Sequence, residues 1–294
     1  MFAAVSTAPP PNNIFHHHID TQSAQPIKSG PARASFPEQQ EIKKQINAML
    51  KAGIITYSES PWASRVVMVK KKDETLRFCV DYRRLNDETV KDSYPVPRPR
   101  DMFDAMEGSK YFSTLDLASG YWQIPLTEEV KKKTAFVTKD GLFEFTRMPF
   151  GLTNAPASFR RLMTLVLAKA YGIYALVYVD DTIIYSSTWT LHLSHIEQIL
   201  TIFRKAKLVA KLEKCKFGRE TVPFLGHIMS AQGIQVEPTK VNAMLQLKAP
   251  INVSEVRTVM GMFNYYRTFF PKFSDTAYPI THLLKKSVKF IWTQ

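Results

Sequence analysis

Apolar residues fall at helical spacing in "FPEQQEIKKQINAMLK", where Ile42, Ile46, Met49 and Leu50 share a face and Gly53 ends the helix. "WASRVVMVKKKDETLRFCVDYRRLN" predicts two strands around the charged turn "KKKDET". "YPVPRPR" breaks regular structure, because each proline fixes φ and removes a donor. "KYFSTLDLASGYWQIPL" begins as a strand, and "TAFVTKDGLFEFTRM" predicts a hairpin with Asp140-Gly141 at its turn and Phe143 and Phe145 on one face. A helix is expected from about Pro156 to Ala170, lined by Phe159, Leu162, Met163, Val166, Leu167 and Ala170. "ALVYVDDTIIYSS" predicts a second hairpin. The helix near 191–206 that follows should turn Leu193, Ile196, Ile199, Leu200 and Phe203 inward. After the β segment "VPFLGHIMSAQGIQV" the pattern becomes helical from about Glu237, with an N-cap expected at Ser254 and a stop at Pro271.

The amount of apolar sequence fits that pattern. With 294 residues, 45% of them hydrophobic and 12% aromatic, the chain can bury a core for one large domain or two to three subdomains. Residues 1–35, rich in Pro, Ser, Ala and Asn, lack a sustained period and are expected to be a flexible leader, mobile or draped on the surface. The three adjacent histidines within it, His16 to His18, cannot converge well on one metal ion. Lys and Arg outnumber Asp and Glu by 39 to 26, a net charge of +13 that points to a polyanionic partner, nucleic acid before anionic membrane. Two separated cysteines argue against a disulfide framework or a structural zinc site. No apolar run approaches the roughly 18 residues of a membrane span. No secretory signal is apparent either, so an intracellular chain without a membrane partner is expected.

The candidate chemistry lies in the carboxylates. Adjacent strand residues point to opposite faces, but at a hairpin tip Asp180 and Asp181 can both reach one site. A turn alone would account for one aspartate. Hard divalent cations with oxygen ligands account for two, and a two-metal site needs a further carboxylate. Asp116, inside the apolar strand "FSTLDL", is the candidate, since an unpaired charge there is unfavourable.

"YVDD", "FSTLDLASGYWQI", "KTAF", "MPFGLTNAPASF", "SPWASRVVMVKKKD", "FCVDYRRLN", "FLGH" and "YYRTFFPKFS" together resemble, in order, the reverse transcriptase of gypsy-like long-terminal-repeat retrotransposons. The resemblance implies an α+β right-hand polymerase fold, with fingers and palm over 36–236 and a helical thumb over 237–290. It implies RNA-directed DNA polymerase activity: Asp116, Asp180 and Asp181 hold two Mg²⁺ ions, which Mn²⁺ can replace, and dNTPs are added to a DNA primer on an RNA or DNA template. It gives Lys71 and Arg77 to the triphosphate, Tyr121 to a steric gate under the sugar, and Phe150 and Gly151 to the incoming base. Asn154 and Pro156 would lie near the template, although a helix cap and first turn also account for them. Tyr178 and the primer grip Phe224, Leu225, Gly226 and His227 would hold primer and template.

Two departures qualify the resemblance. The fingers turn carries Asp73–Thr75 where the family usually has glycine, and "FIWTQ", with 291–294 as the start of a link, stands where a ribonuclease H domain would begin. Ribonuclease H and integrase would be expected downstream in the family, so a polymerase fragment is the expectation here. The alternative is a catalytically silent nucleic-acid-binding remnant.

Overall fold

A computed structural model of the protein describes residues 9–70, 74–178, 181–285 and 287–292. The first periodic run forms α1 (Phe36–Lys51), whose start is held by the Ser35 N–H and hydroxyl, both donating to the Glu38 carboxylate at 2.7 and 2.8 Å. Gly53, at φ +65°, turns the chain out of it into β1 (Ile55–Tyr57). The next strands, β2 (Ser64–Lys70) and β3 (Leu76–Asp81), are antiparallel, with Val69 opposite Arg77. Two short helices, α2 (Arg83–Glu88) and α3 (Pro99–Ala105), lead to β4 (Tyr111–Asp116), and α4 (Glu128–Lys133) leads to β5 (Phe136–Thr138) and β6 (Gly141–Phe145).

The β5–β6 loop is Lys139–Asp140 rather than Asp140-Gly141, because Thr138 pairs with Gly141, which sits at φ +142°. Phe143 and Phe145 share the buried face as alternation requires, and Phe136 packs against both with ring centroids 5.7 and 5.3 Å away. These strands form a sheet in the order β1-β6-β5-β2-β3.

Helix α5 (Ala155–Val166) places Pro156 in its first turn and ends before the expected Ala170. The second hairpin consists of β7 (Ala175–Tyr178) and β8 (Asp181–Ser186). After α6 (Trp189–Lys205) the chain adds β9 (Lys216–Arg219), completing a sheet in the order β7-β8-β4-β9. In α6 Ile199 and Phe203 are buried as expected, but Leu193 is 50% exposed. The buried stripe starts instead at His192, whose ring nitrogens lie 2.8 Å from the Ser113 hydroxyl and 2.9 Å from the Ser186 hydroxyl.

β10 (Thr221–Phe224), β11 (His227–Ser230) and β12 (Gly233–Val236) form a meander, followed by α7 (Pro238–Leu245), α8 (Val253–Tyr265) and α9 (Phe273–His282). The chain divides into two compact units, Met1–Glu220 and Thr221–Gln294. The meander groups with the helices that follow it in the second compact unit. Its strands pair through tight hairpins, and Tyr265 and Tyr266, at the end of α8, donate to the carbonyls of its first turn. The N-cap of α8 is Asn252, not Ser254: Asn252 Oδ1 accepts from Glu255 N at 2.9 Å while the Glu255 carboxylate accepts from Ile251 N and Asn252 Nδ2. Helix α8 ends at Tyr265, ahead of Pro271, and Pro279 lies inside α9.

The described part of the leader, 9–35, is laid along the first unit. Asn12 N and Nδ2 both donate to the Gln123 carbonyl at 2.7 Å, His17 bridges Leu126, and Ile19 is buried in the core. Arg147 donates to the Pro9 carbonyl, and Lys133 to that of Ile19 at 2.8 Å. Its lack of periodicity reflects these single tertiary contacts rather than freedom from contact. His17 is fully buried, shares a 2.7 Å hydrogen bond with the Ser158 hydroxyl, and is held neutral by burial, its pKa lowered to about 4.

Candidate active site

The β4–β8 register places Asp116 directly opposite Asp181, at the end of the strand pair where β8 emerges from its hairpin. Directly opposed antiparallel residues project from the same face, so two carboxylates meet where like charges are unfavourable. Burial raises the Asp181 pKa, the Asp116 charge raises it further, and Lys214 opposes both. Lys214 Nζ lies 3.1 Å from Asp116 Oδ2 and places one positive charge at the pair. Its position is fixed by the short 3₁₀ turn Leu212–Lys214 and by Lys211 N, which donates to the Asp116 carbonyl at 2.8 Å. Tyr178 pairs with Asp181 across the hairpin. Asp180, the third expected carboxylate, lies outside the described residues, as does Lys71. Among the described residues no three metal-ligating side chains converge.

Beyond Asp116 the chain turns sharply through Ser119, at φ +47°, into a 3₁₀ turn, Gly120–Gln123. Gln123 is fully buried: its amide donates to the carbonyls of Ala118 and Val209 at 2.9 and 2.8 Å, and its oxygen accepts from Val209 N at 2.9 Å. This single side chain ties the segment after Asp116 to the segment after α6. Tyr121, 8% exposed, has its ring 5.1 Å from that of Phe150, and the Arg77 guanidinium lies 5.7 Å from the Phe150 centroid. Arg77, Phe150 and Tyr121 therefore form one continuous run of side-chain contacts drawn from β3, the loop before α5 and the 3₁₀ turn.

Gly151, at φ +93°, allows that loop to bend beneath Tyr82 and Val80. Asn86 holds the bend, donating to the Gly151 carbonyl and accepting from Thr153 N, each at 2.8 Å. Asn154 is at the N-cap position of α5, but its side chain does not cap the helix: it accepts from Asp92 N at 3.0 Å and donates to the Val90 carbonyl at 2.8 Å. Asp92 also receives a two-pronged bond from Arg161, at 2.8 and 3.1 Å, which lowers its pKa.

In the second unit Phe224 pairs with His227 around a two-residue loop, Leu225-Gly226, with φ +50° and +73°. Both loop residues have positive φ, the requirement of the tight hairpin turn. Tyr265 Oη donates to the Leu225 carbonyl at 2.8 Å, and His227 Nδ1 donates to the same oxygen at 2.9 Å. The His227 ring packs among Tyr265, Tyr266 and Phe269, with centroids 5.1 to 5.5 Å away, and burial lowers its pKa.

Lys214, Asn86 and Gln123 had no role in the sequence reading. No pattern distinguishes Lys214 among the lysines of "KLEKCK", whereas Asn86 stands in the recognised stretch "FCVDYRRLN".

Residues 69–229 match the family described as reverse transcriptase (RNA-dependent DNA polymerase). The retrovirus-related Pol polyprotein from transposon 297 of Drosophila melanogaster is 39% identical over 282 residues, 94% of this chain and 27% of the relative. That from transposon gypsy of the same organism is 36% identical over 290 residues, 97% of this chain and 28% of the relative. The chain thus spans about a quarter of the length of these relatives. Among solved structures, the foamy viral protease-reverse transcriptase in complex with dsDNA aligns with a TM-score of 0.88 at 26% identity, over 99% of this chain and 61% of that one. The same protein in complex with an RNA/DNA hybrid aligns with a TM-score of 0.83 at 25% identity, over 99% and 40%.

Proposed function

This chain belongs to the reverse transcriptase (RNA-dependent DNA polymerase) family, and we propose that it adds dNTPs to a primer 3′-hydroxyl on an RNA or DNA template. The observation that carries the proposal is the opposition of Asp116 and Asp181, two carboxylates in register with Lys214 beside them. The pair suits a hard cation: the donors are carboxylate oxygens, and Asp181 carries an electrostatic penalty that a divalent ion would remove. Members of the family generally use divalent metals. Here Asp116, Asp181 and Asp180 would hold two Mg²⁺ or Mn²⁺ ions. When bound, such ions acidify the primer hydroxyl and neutralise the triphosphate and departing pyrophosphate.

The remaining work falls to side chains of this chain. Arg77, with Lys71, neutralises triphosphate oxygens; Phe150 and Gly151 support the base; Tyr121 closes the space under the sugar. Tyr178 contacts primer or template, the turn Phe224–His227 holds the primer backbone, and Asn154 and Pro156 border the template. The +13 charge supports a nucleic-acid partner, and the solved neighbours carry dsDNA and an RNA/DNA hybrid, the two duplexes such a reaction produces.

The test is primer extension by the purified chain on polyadenylate with an oligo-deoxythymidine primer and Mg²⁺ or Mn²⁺, beside Asp116→Asn and Asp180→Asn. Extension by the parent and none by either variant is expected. A folded parent that binds primer–template but incorporates nothing with either ion would instead be the silent remnant.

A further inference from the structure

We infer that Phe159, on α5, is a positioning residue that sets how deep the Tyr121 ring sits, and so how strongly the site rejects ribonucleotides; this rests on the polymerase reading above. The Tyr121 ring has two close aromatic neighbours, Phe150 at 5.1 Å and Phe159 at 5.6 Å between centroids. These neighbours are unlike. Phe150 is 40% exposed, whereas Phe159 is fully buried.

Phe159 also supports the backbone that carries Tyr121. A Cβ built on Gly120 would stand 2.8 Å from Phe159 Cε2, so the 3₁₀ turn rests directly on the Phe159 ring, in space that only glycine leaves open. Ser119, in the left-handed region, brings the chain down onto that ring. Helix α5 cannot easily withdraw. Asn154 and Arg161 bind it to the 90–92 segment, and the Ser158 hydroxyl is bonded to His17. Phe159 is thus a fixed, fully buried stop against the gate, unlike the half-exposed Phe150.

Shortening the stop leaves space into which the Tyr121 ring can settle, and the position under the sugar then admits a 2′-hydroxyl. A gate that works by steric exclusion loses selectivity when its backing yields, even though the gating ring is still present.

The experiment measures kcat/KM for dTTP and UTP with the full chain carrying Phe159→Leu or Phe159→Met, alone and combined with Tyr121→Val. The expected result is a fall of about tenfold in the dTTP-to-UTP ratio for the single variants, mostly through better use of UTP. In the Tyr121→Val background the same changes should move the ratio little, because the gate is already gone. A role in folding alone would lower both nucleotides together and leave the ratio intact. The Met variant, closer in volume, keeps the test open if the Leu variant does not fold. A ratio within about twofold of the parent in the folded variants overturns the inference while the polymerase reading stands. A parent that incorporates neither nucleotide overturns both.

Discussion

Asp181 is held where its charge is unfavourable, and its removal should separate stability from activity. Its pKa is raised in the folded protein, so ionised Asp181 weakens the fold above that pKa, and the penalty fades as pH falls through it. Asp181→Asn should therefore raise the melting temperature in chelator at pH 7, by an amount corresponding to a few tenths of a kcal/mol, and lose that advantage near pH 4. Added Mg²⁺ should stabilise the parent more than the variant. Thermal melts with and without Mg²⁺ at both pH values check this. No gain in chelator at neutral pH would show that Lys214 already neutralises the pair. The same residue illustrates what a sequence can convey: "DD" between apolar runs marks the carboxylates, but nothing local marks Lys214, which reaches Asp116 from 98 positions away.

At the scale of elements, His192 joins α6 to two strands of the sheet that carries the aspartates. The Ser113 hydroxyl accepts from Gly218 N at 3.0 Å, so it can donate to His192 Nε2, leaving His192 Nδ1 to donate to Ser186 and the Ser186 hydroxyl to donate to His195. That order uses a neutral ring, consistent with a pKa that burial lowers to about 4. A lowered histidine pKa means that the unfolded chain takes up the proton first. Stability should then fall as pH drops from about 6.5 toward 4, by up to about 3 kcal/mol for each such residue, His17 being the second. Urea midpoints at pH 7.5, 6 and 4.5 measure it, and a flat profile would rule out buried neutral rings.

In the second unit, Gly226→Ala should destabilise by about 1 kcal/mol or more, since φ is +73° and the new Cβ would stand 2.8 Å from Tyr266 Oη. Denaturant titration of the variant tests that. Hairpins and long helices were legible because their signals repeat within a few residues. Helix starts were less so: Asn252 and Ser254 are both good caps, and Glu255, three residues after Asn252, decides between them. Leu193 was misplaced because the stripe of α6 begins with a buried histidine that a hydrophobic pattern does not count.

For the whole molecule, the excess of 39 basic over 26 acidic residues predicts salt-sensitive binding. The logarithm of primer–template affinity should fall linearly with that of salt, at about −0.9 per phosphate contact on duplex DNA. Fluorescence anisotropy across a salt series gives the slope, and a slope near zero would remove charge as the driving term. The leader was the largest part of the fold hidden from the sequence, because its partners are remote: Asn12 meets Gln123 across 111 positions and His17 meets Ser158 across 141.

That remoteness sets an order of events during synthesis. The residues made first are among the last to find their places, because His17 must wait for Ser158 to be made. At about 5–20 residues per second the interval is roughly 7 to 30 s. Nascent chains arrested before Ser158 should present the leader to protease, while chains released at full length should protect it. Until translation passes α5, the leader lacks the bond from His17 to Ser158 that completes its attachment to the first unit.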